Sequence, residues 1–433
     1  MGVNRRQFLI GGLGAMAATA GLAGLSGCGG SSSSGSATSG DLAFTWWGND
    51  VRNKETTEAI AAYGKANPGV KISPQPGEWA SYWDKLATQT AANNAPDVIQ
   101  MDMAYISEYG NRGALLDLSK YGADTSKFAA GTVDSGKIDG TLYGINAGIN
   151  TPTILVNPKL FAKAGIDVPD DKTWTWNDYK QIAGELTGKL GNGIVGTASP
   201  FNDATLSAWL RQQGKELFVD KGLGFTATDV VGWFQLMLDF QNAKAMPSAS
   251  AITEEASQSL DQGSLVTGKA AMAYFWSNQV EAVNQAAGTE MKLLRYPSLA
   301  GKAAERKAWY KASMLWSASS RSKSPEAAVA LINWWVNSTD CANICLAERG
   351  IPANTEVLGT VKPKLSKAQQ SVATFIDEIK PELADTPIAP PPGGGTLGDV
   401  MSRAMSDLLF GRSNVNDAAK KFVDELTSNL SAS

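Results

Sequence analysis

Apolar segments that switch repeatedly between strand and helix period constrain this chain more than any other feature. In DLAFTWW, Leu42, Phe44 and Trp46 alternate as a strand requires, and Gly48, Asn49 and Asp50 end the run. A helical spacing follows over 54–67, with Ile60 and Tyr63 on its apolar side and Pro68-Gly69 as its stop. VKISPQP predicts a second strand. SYWDKLATQTAANN predicts a second helix, opened by Ser81 and Asp84 in a capping-box pattern, with Trp83, Leu86 and Ala87 at helical spacing. DVIQMD is a short apolar strand that ends on Asp102. A strand-helix-strand-helix-strand order predicts an α/β fold, its largely parallel sheet covered by helices on both faces.

A second unit reads likewise from 153 to about 298. It holds the strand TILVN, helices over 176–190 and 229–241, and the strand AAMAYF just before Trp276. Residues 313–348 predict one more strand and helix, and the tail from 367 is helical apart from IAPPPGGGT at 388–396. No internal repeat is visible. At 433 residues the chain is long enough for two domains with cores of their own.

The first forty residues follow different rules. Residues 8–27 carry no charge, but their glycines and alanines make them only weakly apolar, which suits a signal segment at 1–27 behind Arg5 and Arg6. NRRQFLI resembles the twin-arginine export signal, and LSGC resembles the bacterial lipobox, whose cysteine, here Cys28, is acylated. An uncleaved N-terminal membrane helix with a chance cysteine is the alternative. The rest of 28–40 is almost entirely Gly and Ser and predicts a flexible tether.

Composition removes several classes of function. Acidic residues outnumber basic ones, 42 to 38, and no basic run occurs, which argues against nucleic acid as a partner. No histidine is present, so Ser-His-Asp and Cys-His catalysis, histidine general bases and the usual zinc sites are excluded together. Carboxylate and lysine chemistry survive. Cys341 and Cys345 fall four apart in a predicted helix, with Cβ atoms about 5–6 Å apart. A disulfide needs about 3.5–4.5 Å, so the spacing favours two packed thiols, while a bridge at a frayed helix end stays open. GSLVTGKA at 263–270 nearly spells a phosphate loop, but Ala270 stands where the magnesium-binding hydroxyl belongs and no strand precedes it.

Three predicted strands end in ring or polar side chains: Trp47 to Asp50, Asp102, and Trp276 with Ser277 and Asn278. Ligands of open α/β sheets bind outside the carboxyl ends of strands. Sugars present C–H faces that pack on indole rings and hydroxyls that need carboxylates and amides. Trp46, Trp83, Trp334 and Trp335 read as core. GEWASYW offers Glu78, Trp79 and Tyr82 before a helix N-terminus, whereas Asp170, Asp171, Glu254 and Glu255 read as solvated charge.

In order along the chain, FTWWGND, NPGVKI, APDVIQMD, GALLDLSKY, DGTLYGINAGINTPTILVNPKLFAKAGI, WTWNDY, GKAAMAYFWSNQ and SPEAAVALINWWVNS together resemble the extracellular solute-binding proteins of carbohydrate ABC transporters. The resemblance covers the whole chain after Cys28. It implies a two-lobe periplasmic-binding-protein-like fold with a ligand cleft between the lobes and a hinge of three crossings, near 150–152, 302–312 and 350–355. The lobes it implies are 41–149 plus 313–349 and 152–301 plus 355–433. Family contacts carried onto this chain fall on Trp47, Asn49, Asp50, Trp79, Tyr82, Asp102, Asn150, Thr151, Trp276, Asn278, Ser313 and Met314, with the 201–203 turn in a less regular part of the pattern. The implied protein is a monomeric, non-catalytic receptor without metal or cofactor, lipid-anchored on the extracytoplasmic face of the cell membrane. It would deliver a sugar or oligosaccharide to the permease subunits. GGGTLGD replaces an aromatic that the maltose-binding protein offers near its C-terminus, so maltose specificity does not transfer. An exported glycoside hydrolase using two carboxylates, or a receptor for amino acids or peptides with Arg52 as its clamp, remains open at this point.

Overall fold

The strand Gly40–Trp47 lies between two parallel neighbours, Val70–Gly77 and Val98–Met101, in a computed structural model that describes residues 39–129, 132–220 and 222–432. The expected signal segment, Cys28 and nearly all of the tether lie outside the described residues. Two further strands complete this five-stranded sheet, in the order Val70–Gly77, Gly40–Trp47, Val98–Met101, Leu315–Ala318, Ile145–Asn146. Leu315–Ala318 runs antiparallel to both of its neighbours. The sheet is therefore mixed at one side, because this strand re-enters from the other lobe and meets the sheet from the opposite end.

The helix after the first strand spans Asp50–Ala66, four residues longer at its start than the spacing predicts. Asn49 is the cause: its side-chain oxygen accepts from the Arg52 amide at 3.0 Å, satisfying one of the unpaired donors of the first turn. Arg52, Thr56, Ala59 and Tyr63 form its buried face. The next helix, Trp79–Ala91, also begins early, and the Ser81/Asp84 capping box does not form; the Ser81 hydroxyl donates to the Glu78 carbonyl instead. Beneath the sheet, Phe44 meets Trp316 and Trp335 edge-on at 5.0 and 5.3 Å, so the alternation of Leu42, Phe44 and Trp46 does point into a core. Each such ring contributes about 1.5–3 kcal/mol by burial.

The second sheet departs from the expected rhythm. Its central strand, Pro152–Val156, is antiparallel to both Met272–Trp276 and Lys292–Leu294. Period-2 patterning identifies a strand but says nothing of its direction, which is set by the edge at which the chain returns. Trp176, Tyr179, Phe201, Trp233 and Phe240 build the aromatic core of this lobe, with Met401, Leu408 and Phe422 from the C-terminal helices. Cys341 and Cys345 are free, buried thiols. Asp171 is not a solvated charge: it accepts from the Arg295 amide at 2.8 Å and pairs with its guanidinium.

Three crossings join the lobes and hydrogen-bond to one another. Ile149–Asn150 pairs antiparallel with Lys311–Ala312, and Ile149 exchanges two backbone hydrogen bonds with Ile351, at 2.7 and 2.9 Å. The backbones approach too closely for side chains. A Cβ on Gly148 would stand 2.3 Å from the Arg349 carbonyl, and one on Gly350, whose φ is +96°, would stand 2.5 Å from that of Ile149.

Candidate ligand-binding cleft

Trp47 ends the first strand at the carboxyl edge of the sheet, and three rings from the helix Trp79–Ala91 gather against it. Trp79, Tyr82 and Trp83 stand at i, i+3 and i+4, hence on one helical face. Their centroids lie 5.1, 5.2 and 5.5 Å from Trp47. Tyr105, from the first turn of the helix Met103–Asn111, stacks on Trp83 at 3.8 Å. Edge-to-face and offset pairs of this kind add about 0.5–1.5 kcal/mol each beyond burial, so the wall is held by its own rings. The Tyr82 hydroxyl donates to the Gln100 carbonyl at 2.7 Å, whereas Trp79 stays 47% exposed.

The hinge forms the floor. Asp102 caps the helix Met103–Asn111, with one carboxylate oxygen accepting from the Ala104 amide at 2.9 Å. Its other oxygen takes the Lys311 ammonium at 2.7 Å, and that ammonium also lies 4.9 Å from the centre of the Trp276 ring. Lys311 therefore ties the end of a first-lobe strand to the end of a second-lobe strand. Beside it, Asn150 donates to Asn278 at 2.9 Å, the Thr151 amide donates to the Ser277 hydroxyl at 3.1 Å, and Asn278 reaches the Glu348 carbonyl at 3.4 Å. The side-chain oxygen of Asn150 is buried and without a partner.

The second lobe supplies Trp276, Tyr274 at 6.0 Å from it, and Asp203 at the start of the helix Asp203–Arg211. Asp203 is open to solvent yet crowded by both lobes. That crowding raises its carboxyl above the ordinary range, opposed by Lys311 and reinforced by Asp102. Burial raises the Tyr105 phenol, helped by the carboxylates of Asp102, Asp399 and Asp203. The glycine turn reaches across: a Cβ on Gly395 would stand 2.9 Å from the Tyr105 ring, and Ala389 packs on the same cluster.

The comparisons with known proteins bear on this arrangement. Residues 48–339 match the family described as bacterial extracellular solute-binding protein. The chain belongs to that family. A segment of 236 residues is 26% identical to an arabinooligosaccharide-binding protein of Bacillus subtilis, covering 52% of this chain and 54% of the relative. Another of 170 residues is 28% identical to an uncharacterised lipoprotein of Streptomyces antibioticus, covering 37% and 36%. These matches thus span about half and about a third of the relatives' lengths. Among solved structures, a periplasmic oligogalacturonide-binding protein of Yersinia enterocolitica, in complex with saturated digalacturonic acid, superposes with a TM-score of 0.80 at 20% identity. It covers 90% of this chain and 99% of its own, and it establishes the fold as that of a two-lobe solute-binding protein.

For a solute-binding protein, the predicted site residues separate into groups. Trp47 and Trp79 meet in the ring wall, Asp102 and Trp276 meet through Lys311, and Tyr82 is 2% exposed behind the wall. Asn150, Thr151, Asn278 and Ser313 are gathered in the hinge, where the Ser313 hydroxyl donates to the Arg349 carbonyl. Asn49 serves as a helix cap, Asp50 is exposed in the first turn, and Met314 is 2% exposed in the core. Trp83, expected in the core, is half-buried in the wall. Lys311, Tyr105, Tyr274 and Gly395 escape the sequence reading, although Lys311 falls within a predicted crossing and Tyr105 one turn after Asp102. Among the described residues, no helix is long and apolar enough to cross a membrane, and no cluster of His, Cys, Asp and Glu is arranged to hold a metal.

Proposed function

We propose that this chain is the sugar receptor of an ABC importer: it captures an oligosaccharide between its lobes and passes it to the permease. The lobes are 41–149 plus 313–349 and 152–301 plus 355–433, and the receptor works as a monomer. The observation that carries the reading is the ring wall of Trp47, Trp79, Trp83 and Tyr105 on one lobe, with Trp276 and Asp203 on the other. Indole faces suit the C–H faces of sugar rings, and carboxylates and amides between them suit hydroxyl groups. The name of the Bacillus subtilis relative agrees with a sugar ligand.

The rivals fare worse on specific contacts. A peptide receptor needs a free cationic clamp, but Arg52 is buried against Glu348, with Nε 2.9 Å from both carboxylate oxygens. A two-carboxylate hydrolase needs both of its carboxylates free, and of Asp102 and Asp203 the first is held by Lys311 and by the Ala104 amide. Oligosaccharide incubated with the protein should be recovered intact by chromatography; shortened products would favour the hydrolase.

A thermal-shift screen over mono- and oligosaccharides, amino acids and peptides tests the assignment. A cognate sugar at 100 times its Kd should stabilise the chain by about 2.7 kcal/mol. Stabilisation by peptides alone would overturn it. Acylation at Cys28 on the extracytoplasmic face is the proposed anchor, with the twin-arginine route as its export path, and the Streptomyces antibioticus relative is itself named a lipoprotein. Cys28→Ser should then leave the membrane fraction without losing sugar affinity, and a variant that still sediments with membranes would contradict the anchor.

A further inference from the structure

Lys311 is the cation that the hinge presents to the cleft, and its charge is already matched. Its ammonium lies 2.7 Å from Asp102 and 4.9 Å from the Trp276 ring centre. Asp102 is 4% exposed and fixed from the other side by the helix it caps. Asp203, from the second lobe, acts on the same ammonium, and Asp399, from the helix after the glycine turn, acts with both carboxylates on Tyr105. Three carboxylates from three separate elements thus bear on Tyr105, and two of them, Asp102 and Asp203, also act on the Lys311 ammonium. Two observations of a different kind point to a ligand in the same place. The Tyr274 hydroxyl, within reach of the Asp203 charge, is buried without a partner, and so is the side-chain oxygen of Asn150, a residue 3% exposed.

Resting on the sugar-receptor reading, we propose that this cleft selects by charge. It accepts neutral and amino sugars and rejects uronic acids and sulfated or phosphorylated sugars.

An acidic ligand would have to displace Lys311 from Asp102. A ligand carboxylate needs a cationic partner, and Lys311 can serve only by leaving Asp102. That move strands a nearly inaccessible carboxylate without its counter-charge and still leaves the ligand's charge facing Asp203 and Asp399. Like charges set side by side discriminate against the wrong partner, and the cost is greatest at Asp102, which is 4% exposed. A neutral sugar meets no such conflict, because its hydroxyls donate to carboxylate oxygens, each of which accepts more than one hydrogen bond. An amino sugar adds an ammonium opposite Asp203. Selectivity of this kind is set by the hinge and the Asp203 helix, independently of the ring wall, which stacks on any pyranose face.

The test is calorimetric titration of the full chain with three sets of oligosaccharides of matched length. They are neutral cello-, xylo-, arabino- and galacto-oligosaccharides, amino chitosan oligomers, and acidic oligogalacturonates and oligomannuronates. Every binder should be neutral or amino, with the acid counterpart at least tenfold weaker. An acidic oligosaccharide that binds as tightly as its neutral counterpart overturns the charge selection while leaving the receptor reading intact. Binding by none of the sets overturns the receptor reading and this inference with it. Asp102→Asn provides the second arm, since asparagine caps a helix as well as aspartate does and releases Lys311. In that variant the acid counterpart of the best neutral binder should gain at least tenfold relative to it, and an unchanged ratio would overturn the proposal.

Discussion

Trp47, Trp79, Trp83 and Tyr105 hold one another ring to ring, at centroid separations from 3.8 to 6.4 Å, whereas the hinge floor beside them is held by ion pairs and amides. The wall is local, its rings drawn from one strand end and from the helices Trp79–Ala91 and Met103–Asn111. The floor joins residues far apart in the chain: Lys311 and Asp102 are separated by 209 positions, Arg52 and Glu348 by 296. The difference matters for how each part responds to change. Stacked rings keep their attraction across pH and salt, and losing one leaves the others in place. A buried charge that loses its partner has no such fallback.

The largest expected effect therefore lies in the hinge. Glu348→Ala strands Arg52 and brings Arg349, whose guanidinium is 3.6 Å from the same carboxylate, into an unbalanced site. Unfolding by denaturant should show a loss of about 3–5 kcal/mol. A loss under ~1 kcal/mol would mean that the ion pair is not what holds the hinge.

The next effect depends on pH. Burial, reinforced by Glu348, pushes the Glu55 carboxyl up to about 9, and one of its oxygens has no partner. The folded chain therefore keeps a proton on Glu55 that the unfolded chain releases near pH 4.5. This contribution is complete below the unfolded value and drains away as pH rises toward 9. Between pH 6 and 8 the loss amounts to roughly 2–3 kcal/mol. Glu55→Gln should flatten the fall in melting temperature over that range; a slope identical to that of the unaltered chain would show Glu55 ionised in the fold.

A smaller effect is expected at the ring that both regions share. Trp276 is half-buried between Tyr274 and the Lys311 ammonium. Trp276→Ala should cost about 2 kcal/mol in sugar affinity, roughly thirtyfold in Kd, with little change in apo melting. A destabilised variant of near-normal affinity would move this ring from the cleft to the core.

The same contrast explains what was legible in advance. The strands at Gly40–Trp47 and Val98–Met101 and the ring and carboxylate at their ends could be read, because period-2 patterning and strand-end position are local properties. The early start of the helix Asp50–Ala66 could not, since Asn49 reads as a strand-ending turn or a ligand contact until its oxygen is placed on the Arg52 amide. The antiparallel second sheet was hidden because direction belongs to the connections, not to TILVN or AAMAYF themselves. Lys311 was hidden for a related reason: a lysine in a crossing looks solvated until the Asp102 carboxylate and the Trp276 ring converge on it.

The central claim is that wall and floor close on a sugar as two lobes about one hinge. Small-angle X-ray scattering on the protein alone and at saturation with the stabilising saccharide tests it most directly. The radius of gyration should fall and the maximum dimension shorten with the sugar bound. Superimposable profiles at demonstrated saturation would contradict it and assign recognition to a rigid surface.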